Sequence, residues 1–321
     1  MVDTTWAIIG AGRFATDRMV PAILSAPGSR IAGVWARNST AARSLADAVG
    51  STNYPSFAAL TDSKVDIAYV AVTAEANPGL VVPLLEAGIP VLCEKPVAAT
   101  VAAARHLADV AMRLGVPCFV NHHLRVNDAM SAAKTAVGSG MLGRIRQLQI
   151  SNHQLMPQPP GWRLSDPTSG GVVRDLTIHD IDLAMFLLDE PLQVRTAKAL
   201  ERQHNVETAT EVTITTPSGI EVGFSDGWVT PPGNAYSRLT IIGEDGSLTV
   251  DRAVTAVGSR LTLSTAAGQN VRDQTNDAYK TMAQLAIDGA RGATVPIANT
   301  QSAAETIIVL DEILTCIDMT K

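Results

Sequence analysis

The sequence predicts two domains of different fold class: an N-terminal α/β domain with a doubly wound parallel sheet, and a C-terminal α+β domain with an open, mostly antiparallel sheet. In the first third of the chain, short and almost continuously apolar segments alternate with segments of helical periodicity, which is typical of βαβ units. After about residue 122, strand-like segments alternate apolar and polar residues and are separated by turn sequences such as PSG and EDG, which indicates an antiparallel sheet.

Five segments are predicted as buried parallel strands because nearly every residue in them is apolar. They are TWAIIG (5–10), RIAGVWA (30–36), DIAYVAV (66–72), PVLCE (90–94) and PCFVN (117–121). Apolar residues at helical spacing predict helices between them, at 15–26, 39–50 and 99–115. The last two end at Gly50 and Gly115, and glycine is the residue that most often terminates a helix.

The second half of the chain is predicted to contain strands at 144–154, 210–216, 221–229, 238–243 and 247–250 and helices at 174–188, 278–291 and 300–318. The change of pattern predicts domains at 1–122 and 123–321, and the helix at about 300–318 is a candidate to pack back on the first domain. Alternation in 210–216 and 221–229 leaves these strands a second, less apolar face. We expect helices to cover one face of the sheet and the other face to be available for a homo-oligomer.

The composition narrows the class of protein. Of 321 residues, 46% are hydrophobic and 17% charged, which is sufficient for packed cores. The net charge of −6 and the absence of any Lys/Arg run argue against a nucleic-acid partner. The three cysteines are far apart, which argues against a disulfide framework or a thiolate zinc site. No apolar run reaches the roughly 18 residues that span a bilayer, and no signal-peptide pattern is present, so a cytoplasmic protein without a membrane partner is expected.

The segment GAGRFA (10–15) follows the first predicted strand and begins a helix. In this GxGxxA pattern, Gly10 permits the tight turn, Gly12 lets the backbone approach a pyrophosphate, and the helix N-terminus offers free N–H groups to the anion. This is the dinucleotide-binding fingerprint of a Rossmann domain, so Gly10, Gly12, Arg13 and Phe14 are predicted to contact the cofactor. The alternative is a glycine-rich turn without a ligand.

The end of the second predicted strand bears on which dinucleotide binds. NAD sites usually place an Asp or Glu there, on the ribose 2′-OH, whereas this chain has Ala36, Arg37 and Asn38. A guanidinium suits a 2′-phosphate as a bidentate partner. The pattern therefore favours NADP over NAD, with Arg37 and Asn38 as contacts. The alternative is that Arg37 is a solvated loop residue, which leaves NAD open.

Two further segments carry charged residues at positions suited to chemistry. The fourth predicted strand ends in CEKP (93–96), where Lys95 can polarise a carbonyl or hydroxyl group and Glu94 can bind a cofactor ribose or amide. The segment GGVVRDLTIHDIDLAMFLL (170–188) is a largely apolar helix in which Asp175, His179 and Asp182 share one face. Burying such groups is costly unless each is paired or used. The alternative for CEKP is a surface Glu–Lys pair.

These motifs together resemble the Gfo/Idh/MocA family of glucose–fructose oxidoreductases and inositol dehydrogenases. The resemblance covers essentially the whole chain and rests on GAGRFA, on CEKP followed by a helix, and on an Asp-x-x-x-His pattern after a glycine pair. It implies that Lys95, Asp175 and His179 surround the reacting carbon of a sugar-like substrate. It also implies a cis peptide bond between Lys95 and Pro96.

The resemblance implies a role for each of these three residues. His179 acts as the general acid in reduction and as the base in oxidation, as an imidazole can do near neutral pH. Asp175 orients the ring or the substrate hydroxyl, and Lys95 stabilises developing oxyanion charge. Because hydride comes from the nicotinamide, no metal is required. A metal site that includes His179 with Asp175 or Asp182 is a weaker alternative.

Residues in three loops complete the candidate site. Asn121 is expected at the cofactor, while His122 and His123 are expected either to line the cleft or to pack in the interior. Trp162 and Arg163 are candidates to stack over the nicotinamide or sugar, or else to anchor a loop. In VTAEANPG, Ala74 and Asn77 replace the Asn and His that many family members carry, so Thr73 is expected to bind the cofactor with less help.

The sequence therefore predicts an NADP(H)-dependent oxidoreductase that acts on a carbonyl or hydroxyl group of a sugar, anhydrosugar or cyclitol. One alternative is an NAD-dependent inositol- or sugar-type dehydrogenase, against which Arg37 argues. The other is a dinucleotide-binding regulator without turnover. The presence of Lys95, Asp175 and His179 together favours the enzyme.

Overall fold

The computed structural model describes residues 3–155, 161–166, 168–229, 235–251 and 258–319. The chain forms two compact units, the first comprising residues 1–123 and 279–304 and the second residues 124–278 and 305–321. The sequence predicts the stretch 279–304 in the second domain, but the structure groups it with the first unit. The reason is a short strand in this stretch that joins the first sheet.

The first unit alternates strands and helices along residues 4–120. Its strands here are β1 (Thr4–Ile9), β2 (Ser29–Trp35), β3 (Thr52–Asn53), β4 (Ile67–Val70), β5 (Val91–Cys93) and β6 (Cys118–Val120). Its helices are α1 (Val20–Ser25), α2 (Ser39–Ala48), α3 (Phe57–Thr61), α4 (Asn77–Glu86) and α5 (Val101–Leu114), and a π-helical turn (Ala15–Met19) precedes α1. The five predicted strands correspond to β1, β2, β4, β5 and β6.

The second unit is rich in strands, and the chain ends in helices. The strands are β7 (Ile145–Leu155), β8 (Gln193–Gln203), β9 (Val206–Thr215), β10 (Glu221–Val229), β11 (Tyr236–Gly243), β12 (Gly246–Asp251), β13 (Ser259–Thr265) and β14 (Gly268–Gln274). The helices are α6 (Asp128–Gly138), α7 (Gly161–Ser165) and α8 (Ile178–Leu188), the last preceded by a π-helical turn (Val173–Thr177). After them follow α9 (Ala278–Ala290), β15 (Ala298–Asn299) and α10 (Thr300–Met319).

The first sheet has the doubly wound order of a Rossmann domain. Its strands lie in the order β15-β6-β5-β4-β1-β2-β3, and all pairs are parallel except β15 with β6. Strands β1 and β4 are neighbours, and from this pair the connections run outward in opposite directions. Ligands of such sheets bind in the crevice at the carboxyl ends of the strands, so the segments that follow β1, β4, β5 and β6 meet at the expected binding edge.

The second sheet is open and mostly antiparallel, as predicted. Its order is β14-β13-β12-β11-β7-β10-β9-β8, and only β7 with β10 is parallel. Helix α6 packs on α8 and on β12, β13 and β14. Apolar side chains on one face of the central strands are buried, namely Leu148, Ile150, Val212, Ile214, Val222, Phe224, Leu239 and Ile241.

None of the helices in the described part of the chain is long and apolar enough to cross a membrane.

Several elements have no clear signal in the sequence. Helix α4 contains Pro83 in its interior, and proline normally argues against a helix because it removes a backbone donor. Helix α6 consists largely of small residues. Strand β8 lies at the edge of the second sheet, its pairing is irregular, and only Ala197 within it is buried. A strand that buries so little shows no strong alternation of apolar and polar residues.

A pair of carboxyl groups lies in the interior of the second unit. Asp180 of α8 and Asp226 of β10 are both fully buried. Asp226 accepts a hydrogen bond from the Thr177 hydroxyl, and the two carboxyl groups lie close enough to affect each other's pKa. Burial raises the pKa of Asp226 to about 6, and burial together with the charge of Asp226 raises the pKa of Asp180 well above its usual value. Asp226 therefore releases its proton first, and Asp180 stays protonated when Asp226 ionises.

An Asp226→Asn variant is expected to lose less stability than the wild type as the pH rises. In the folded protein Asp226 keeps its proton up to about pH 6, whereas in the unfolded chain it releases it near pH 4. Folding is therefore disfavoured progressively as the pH rises through this window. The free energy of unfolding of the variant minus that of the wild type should increase by about 3 kcal/mol between about pH 4 and about pH 7, as measured by urea denaturation.

The matched control is Asp109→Asn, because Asp109 is an exposed aspartate of α5. For this variant the difference from the wild type should stay nearly constant over the same pH range. A constant difference for Asp226→Asn as well would contradict the raised pKa of Asp226.

Candidate active site

The turn after β1 is shaped by two glycines with different roles. Gly10 has φ +98°, and a Cβ at this position would lie 2.2 Å from the carbonyl oxygen of Ala71, which follows β4. Any side chain at residue 10 would therefore force β1 and β4 apart. At Gly12, in contrast, a Cβ would have no neighbour within 4 Å. The space beside Gly12 fits the predicted approach of a pyrophosphate.

The first helical turn after these glycines presents exposed side chains. The π-helical turn Ala15–Met19 begins three residues after Gly12. Within it, the amide N–H of Thr16 donates to the carbonyl oxygen of Gly12 (3.0 Å). The side chain of Arg13 is exposed, and its Nε lies 3.6 Å from Asp17 Oδ2. Phe14 is 41% exposed. Short π-helical segments occur frequently at functional sites, which agrees with the role predicted for this turn.

The two residues predicted to contact the 2′-phosphate of NADP, Arg37 and Asn38, are both exposed after β2. Arg37 is exposed at the carboxyl end of the strand. The side-chain oxygen of Asn38 accepts from the amide N–H of Ala41 (3.1 Å) and so caps α2. Capping uses only the oxygen of Asn38, so its amide group can still donate to an anion.

In the loop after β4, the side chain of Asn77 makes a hydrogen bond within the protein. The buried Asn77 side chain donates to the carbonyl oxygen of Val97 (2.7 Å). Thr73 is exposed, and its carbonyl oxygen accepts from the amides of Ala76 and Asn77 (3.0 Å each). Asn77 thus has a structural contact, whereas Thr73 is exposed after the carboxyl end of β4, as is Glu75.

Glu94 is fixed by two hydrogen bonds to one of its oxygens. Glu94 Oε1 accepts from the Tyr69 hydroxyl (2.7 Å) and from the Asn121 side chain (2.7 Å). Burial raises the pKa of Glu94, while these two donors and the nearby charge of Lys95 act in the opposite direction. Burial and the charge of Glu94 raise the pKa of Tyr69 well above its usual value. Tyr69 therefore remains a hydrogen-bond donor at all physiological pH values.

Lys95 lies close enough to His123 for its charge to affect the pKa of that histidine. The Lys95–Pro96 peptide bond is cis, which confirms the prediction. Burial lowers the pKa of His123 to about 3, and the positive charge of Lys95 contributes to this effect. His123 is therefore neutral near neutral pH, so it can donate or accept a hydrogen bond but does not carry charge in the site.

Tyr279 contacts two of the predicted site residues, Phe14 and His123, and was not itself predicted from the sequence. It lies in α9, and its ring centroid is 4.7 Å from that of His123 and 5.6 Å from that of Phe14, the latter at nearly a right angle. It joins the glycine loop to the segment after β6 through ring contacts. Nothing in its local sequence marks it, because only folding brings 279–304 to the first sheet.

In the second unit, Asp175 is paired with Arg163. Arg163 Nη2 donates to Asp175 Oδ1 (3.2 Å), and the two side chains are 28% and 14% exposed. Asp175 lies in the π-helical turn Val173–Thr177, and His179 follows in α8 and is half-buried. Arg163 thus neutralises the charge of Asp175 and holds its orientation. The side chain of Trp162, predicted to act beside Arg163, lies outside the described part of the structure.

Asp182, on the same helix face in the sequence pattern, has a structural partner. Arg125 donates from Nε to Asp182 Oδ2 (2.9 Å) and from Nη2 to Oδ1 (2.7 Å). The side chains are 11% and 1% exposed, and the guanidinium of Arg125 also lies over the ring of Phe186. This bidentate pair accounts for the burial of the Asp182 carboxylate. Of the three residues predicted to share a helix face, Asp175 and His179 stay candidates for a role in the reaction.

The structure therefore places the predicted residues in two groups. Glu94, Lys95, Asn121 and His123 belong to the first unit and follow the carboxyl ends of β5 and β6, whereas Arg163, Asp175 and His179 belong to the second unit. The convergence of Lys95 with Asp175 and His179 stays a prediction. Tyr69, Tyr279 and Arg125 are the residues of these groups that sequence reasoning missed.

Comparison with known proteins identifies the family. Residues 4–122 match an oxidoreductase family with an NAD-binding Rossmann fold, and residues 130–249 match the GFO/IDH/MocA C-terminal domain. The chain belongs to the Gfo/Idh/MocA oxidoreductase family. It is therefore an NAD(P)-dependent oxidoreductase whose relatives act on sugars and cyclitols.

Similar proteins within the Gfo/Idh/MocA family include a 1,5-anhydro-D-fructose reductase from Ensifer adhaerens, 31% identical over 76% of this chain and 74% of the relative. A myo-inositol dehydrogenase, Hyg17, from Streptomyces leeuwenhoekii is 33% identical over 57% of this chain and 55% of the relative. Among solved structures, aldose-aldose oxidoreductase from Caulobacter crescentus has a TM-score of 0.89 at 20% identity and covers 99% of this chain and 98% of that one. KijD10, a 3-ketoreductase from Actinomadura kijaniata, has a TM-score of 0.82 at 20% identity, with 98% of both chains covered.

An Arg125→Met variant is expected to be strongly destabilised. It leaves the carboxylate of Asp182 buried without its bidentate partner, and removing one partner of a buried ion pair costs roughly 3–5 kcal/mol. Urea denaturation followed by circular dichroism measures the loss.

Two controls accompany the Arg125→Met variant. Arg260→Met removes the arginine of an exposed pair with Asp273 and should leave the unfolding midpoint nearly unchanged. The double variant Arg125→Met, Asp182→Leu should recover much of the stability, because it replaces the whole pair by apolar groups. An Arg125→Met variant as stable as the wild type would show that the pair has no structural role.

Proposed function

We propose that the protein transfers a hydride between NADP(H) and a carbonyl or hydroxyl carbon of a sugar, anhydrosugar or cyclitol. The observation that carries this proposal is the Arg163–Asp175 pair at the start of the helical segment that contains His179. An aspartate fixed by an arginine, four residues before a half-buried histidine, provides a polar anchor and a proton-transfer group on one helix face. The similarity to a 1,5-anhydro-D-fructose reductase supports the substrate class.

In the proposed reaction, the bound nicotinamide supplies or accepts the hydride. During reduction, the imidazole of His179 donates a proton to the oxygen of the substrate carbonyl, and during oxidation it takes that proton back. The ammonium group of Lys95 stabilises the negative charge that develops on this oxygen. Asp175, oriented by Arg163, binds a substrate hydroxyl and so fixes the sugar relative to the imidazole.

We propose NADPH as the preferred cofactor. Arg37 is exposed at the end of β2 and Asn38 keeps its amide group for donation, so two donors are available where an NAD site would have a carboxylate. The similar fold of KijD10, which was solved with NADP, is consistent with this preference. The NAD-linked dehydrogenase is the second candidate, since a myo-inositol dehydrogenase is 33% identical over part of the chain.

We also propose that the less apolar face of the second sheet pairs with another subunit. The second half of strand β9 alternates buried and exposed residues over 210–214, with Glu211 and Thr213 exposed. This face is therefore distinct from the buried face on which helices pack.

A His179→Asn variant tests the catalytic proposal. Loss of the proton donor should lower kcat by roughly 10²- to 10⁴-fold, with cofactor binding retained because the glycine loop is unchanged. The assay is NADPH oxidation with the substrate found by screening dicarbonyl sugars, aldoses, ketoses and inosones. His106→Asn is the matched control, since His106 is an exposed histidine on α5. A His179→Asn variant as active as the wild type would refute the role of His179.

An Ala36→Asp variant tests the cofactor preference. One charge-assisted hydrogen bond contributes roughly 1.5–3 kcal/mol, so a single partly exposed contact from Arg37 predicts about a tenfold preference for NADPH in kcat/KM. Asp at residue 36 should invert this preference, because it would accept from the ribose hydroxyls of NAD and repel the 2′-phosphate. Steady-state kinetics with both cofactors measures the ratio.

Two arginine variants complete the test of cofactor preference. Arg37→Gln should lose the preference for NADPH without inverting it, whereas Arg43→Gln, at an exposed arginine of α2, should leave it unchanged. If the wild type used NADH as well as NADPH, the NAD-linked dehydrogenase would become the first candidate.

A further inference from the structure

The glycine pair before the Asp-x-x-x-His segment has a specific neighbour on another element. Gly171 is buried and has φ +90°. A Cβ at this position would lie 2.2 Å from Oε1 and 2.7 Å from Cδ of Glu207. Glu207 is the second residue of β9, and 5% of it is exposed. The carboxyl group of Glu207 therefore occupies the space that any side chain at residue 171 would need.

Glu207 also caps the helical segment that follows. Its Oε1 accepts the amide N–H of Val173 (3.2 Å), which is the first residue of the π-helical turn. The residue before this turn, Val172, provides no side-chain cap. The first N–H groups of a helical segment lack partners within the segment, and a negative charge is favourable at this end. Glu207 thus supplies from β9 the cap that the local sequence lacks.

Burying the carboxylate of Glu207 has an energetic cost, and several neighbouring groups offset part of it. Burial raises the pKa of Glu207, whereas the backbone donors and the charges of Arg174 and Arg202 act in the opposite direction. A buried carboxylate is unfavourable unless such groups meet it. Glu207 is therefore held in one position by several groups at once.

A continuous set of hydrogen bonds leads from this position to Asp175. The amide N–H of Gly171 donates to the carbonyl oxygen of Arg163 (3.0 Å), and the amide N–H of Asp175 donates to the carbonyl oxygen of Gly171 (3.2 Å). The side chain of Arg163 in turn binds the carboxylate of Asp175. A displacement of Gly171 would therefore move both Arg163 and Asp175.

We propose that Glu207 is a positioning residue of the active site, which sets the placement of Asp175 and His179 through Gly171 and Val173. Glu207 acts through the backbone and takes no part in proton or hydride transfer. This inference rests on the proposed function, because it assumes that Asp175 and His179 act on the substrate. It assigns a task to a residue outside the motifs that mark the family.

The test compares the kinetic constants of Glu207→Ala, Glu207→Gln, Glu207→Asp and the control Glu305→Gln in the full-length enzyme. Glu207→Ala should lower kcat roughly 10- to 100-fold, since small misplacements of catalytic groups have effects of this size. The KM for the nicotinamide cofactor should stay unchanged, because the glycine loop belongs to the first unit. Glu207→Gln should keep more activity than Glu207→Ala, since its amide oxygen still accepts the N–H of Val173. Glu305 is an exposed glutamate of α10 in the same unit, and Glu305→Gln should match the wild type.

Each outcome decides the proposal. A folded Glu207→Ala variant with wild-type kcat, or a raised cofactor KM with unchanged kcat, overturns it. If Glu207→Ala fails to fold, Glu207→Asp decides instead, because its shorter side chain draws the carboxylate away from the N–H of Val173: a lowered kcat at unchanged cofactor KM supports the positioning role, and a wild-type kcat overturns it. The His179→Asn variant separates the two levels of inference. If His179→Asn loses activity but the Glu207 variants do not, only the positioning role fails, whereas an active His179→Asn variant removes the proposed function itself.

Discussion

A carboxylate held away from water is unfavourable by several kcal/mol unless donors or a counter-ion meet it, and this requirement shapes both units of the structure. In each unit the partner of a buried carboxylate comes from a different element of the fold, so each pair also fixes one element against another. The carboxylates concerned are Glu94, Asp182, Glu207 and Asp226. The segments proposed to carry the chemistry are located by these contacts rather than by apolar packing alone.

The two glycine motifs illustrate one physical principle with two different neighbours. Gly10 faces a backbone carbonyl at the end of a neighbouring parallel strand, while Gly171 faces the carboxyl group of Glu207. In both cases positive φ and the absence of a Cβ allow a contact that no other residue would permit. Each glycine is followed by a π-helical turn, so the proposed cofactor and acid–base residues both stand at irregular helix starts.

The charges are distributed so that each unit contributes a distinct property. In the first unit, burial raises the pKa of Glu94 and lowers the pKa of His123 to about 3, so His123 is neutral near neutral pH. In the second unit, Arg163 pairs with Asp175, and the proposed function assigns the proton transfer to His179, four residues further along the chain.

The sequence by itself determined the fold class, the strands that precede the binding edge, the glycine loop and the Asp-x-x-x-His segment. These features arise from neighbouring residues: apolar runs, helical spacing and glycines at turns are all local patterns. Edge strand β8 and helix α4 escaped prediction because the first buries little and the second contains an interior proline. Only the tertiary structure decided that Tyr69 and Asn121 hold Glu94, that Arg125 pairs with Asp182, and that Glu207 caps the helical turn at Val173. These partners are far apart in the chain, and a buried charge selects its partner by proximity in the folded protein, which no local pattern encodes.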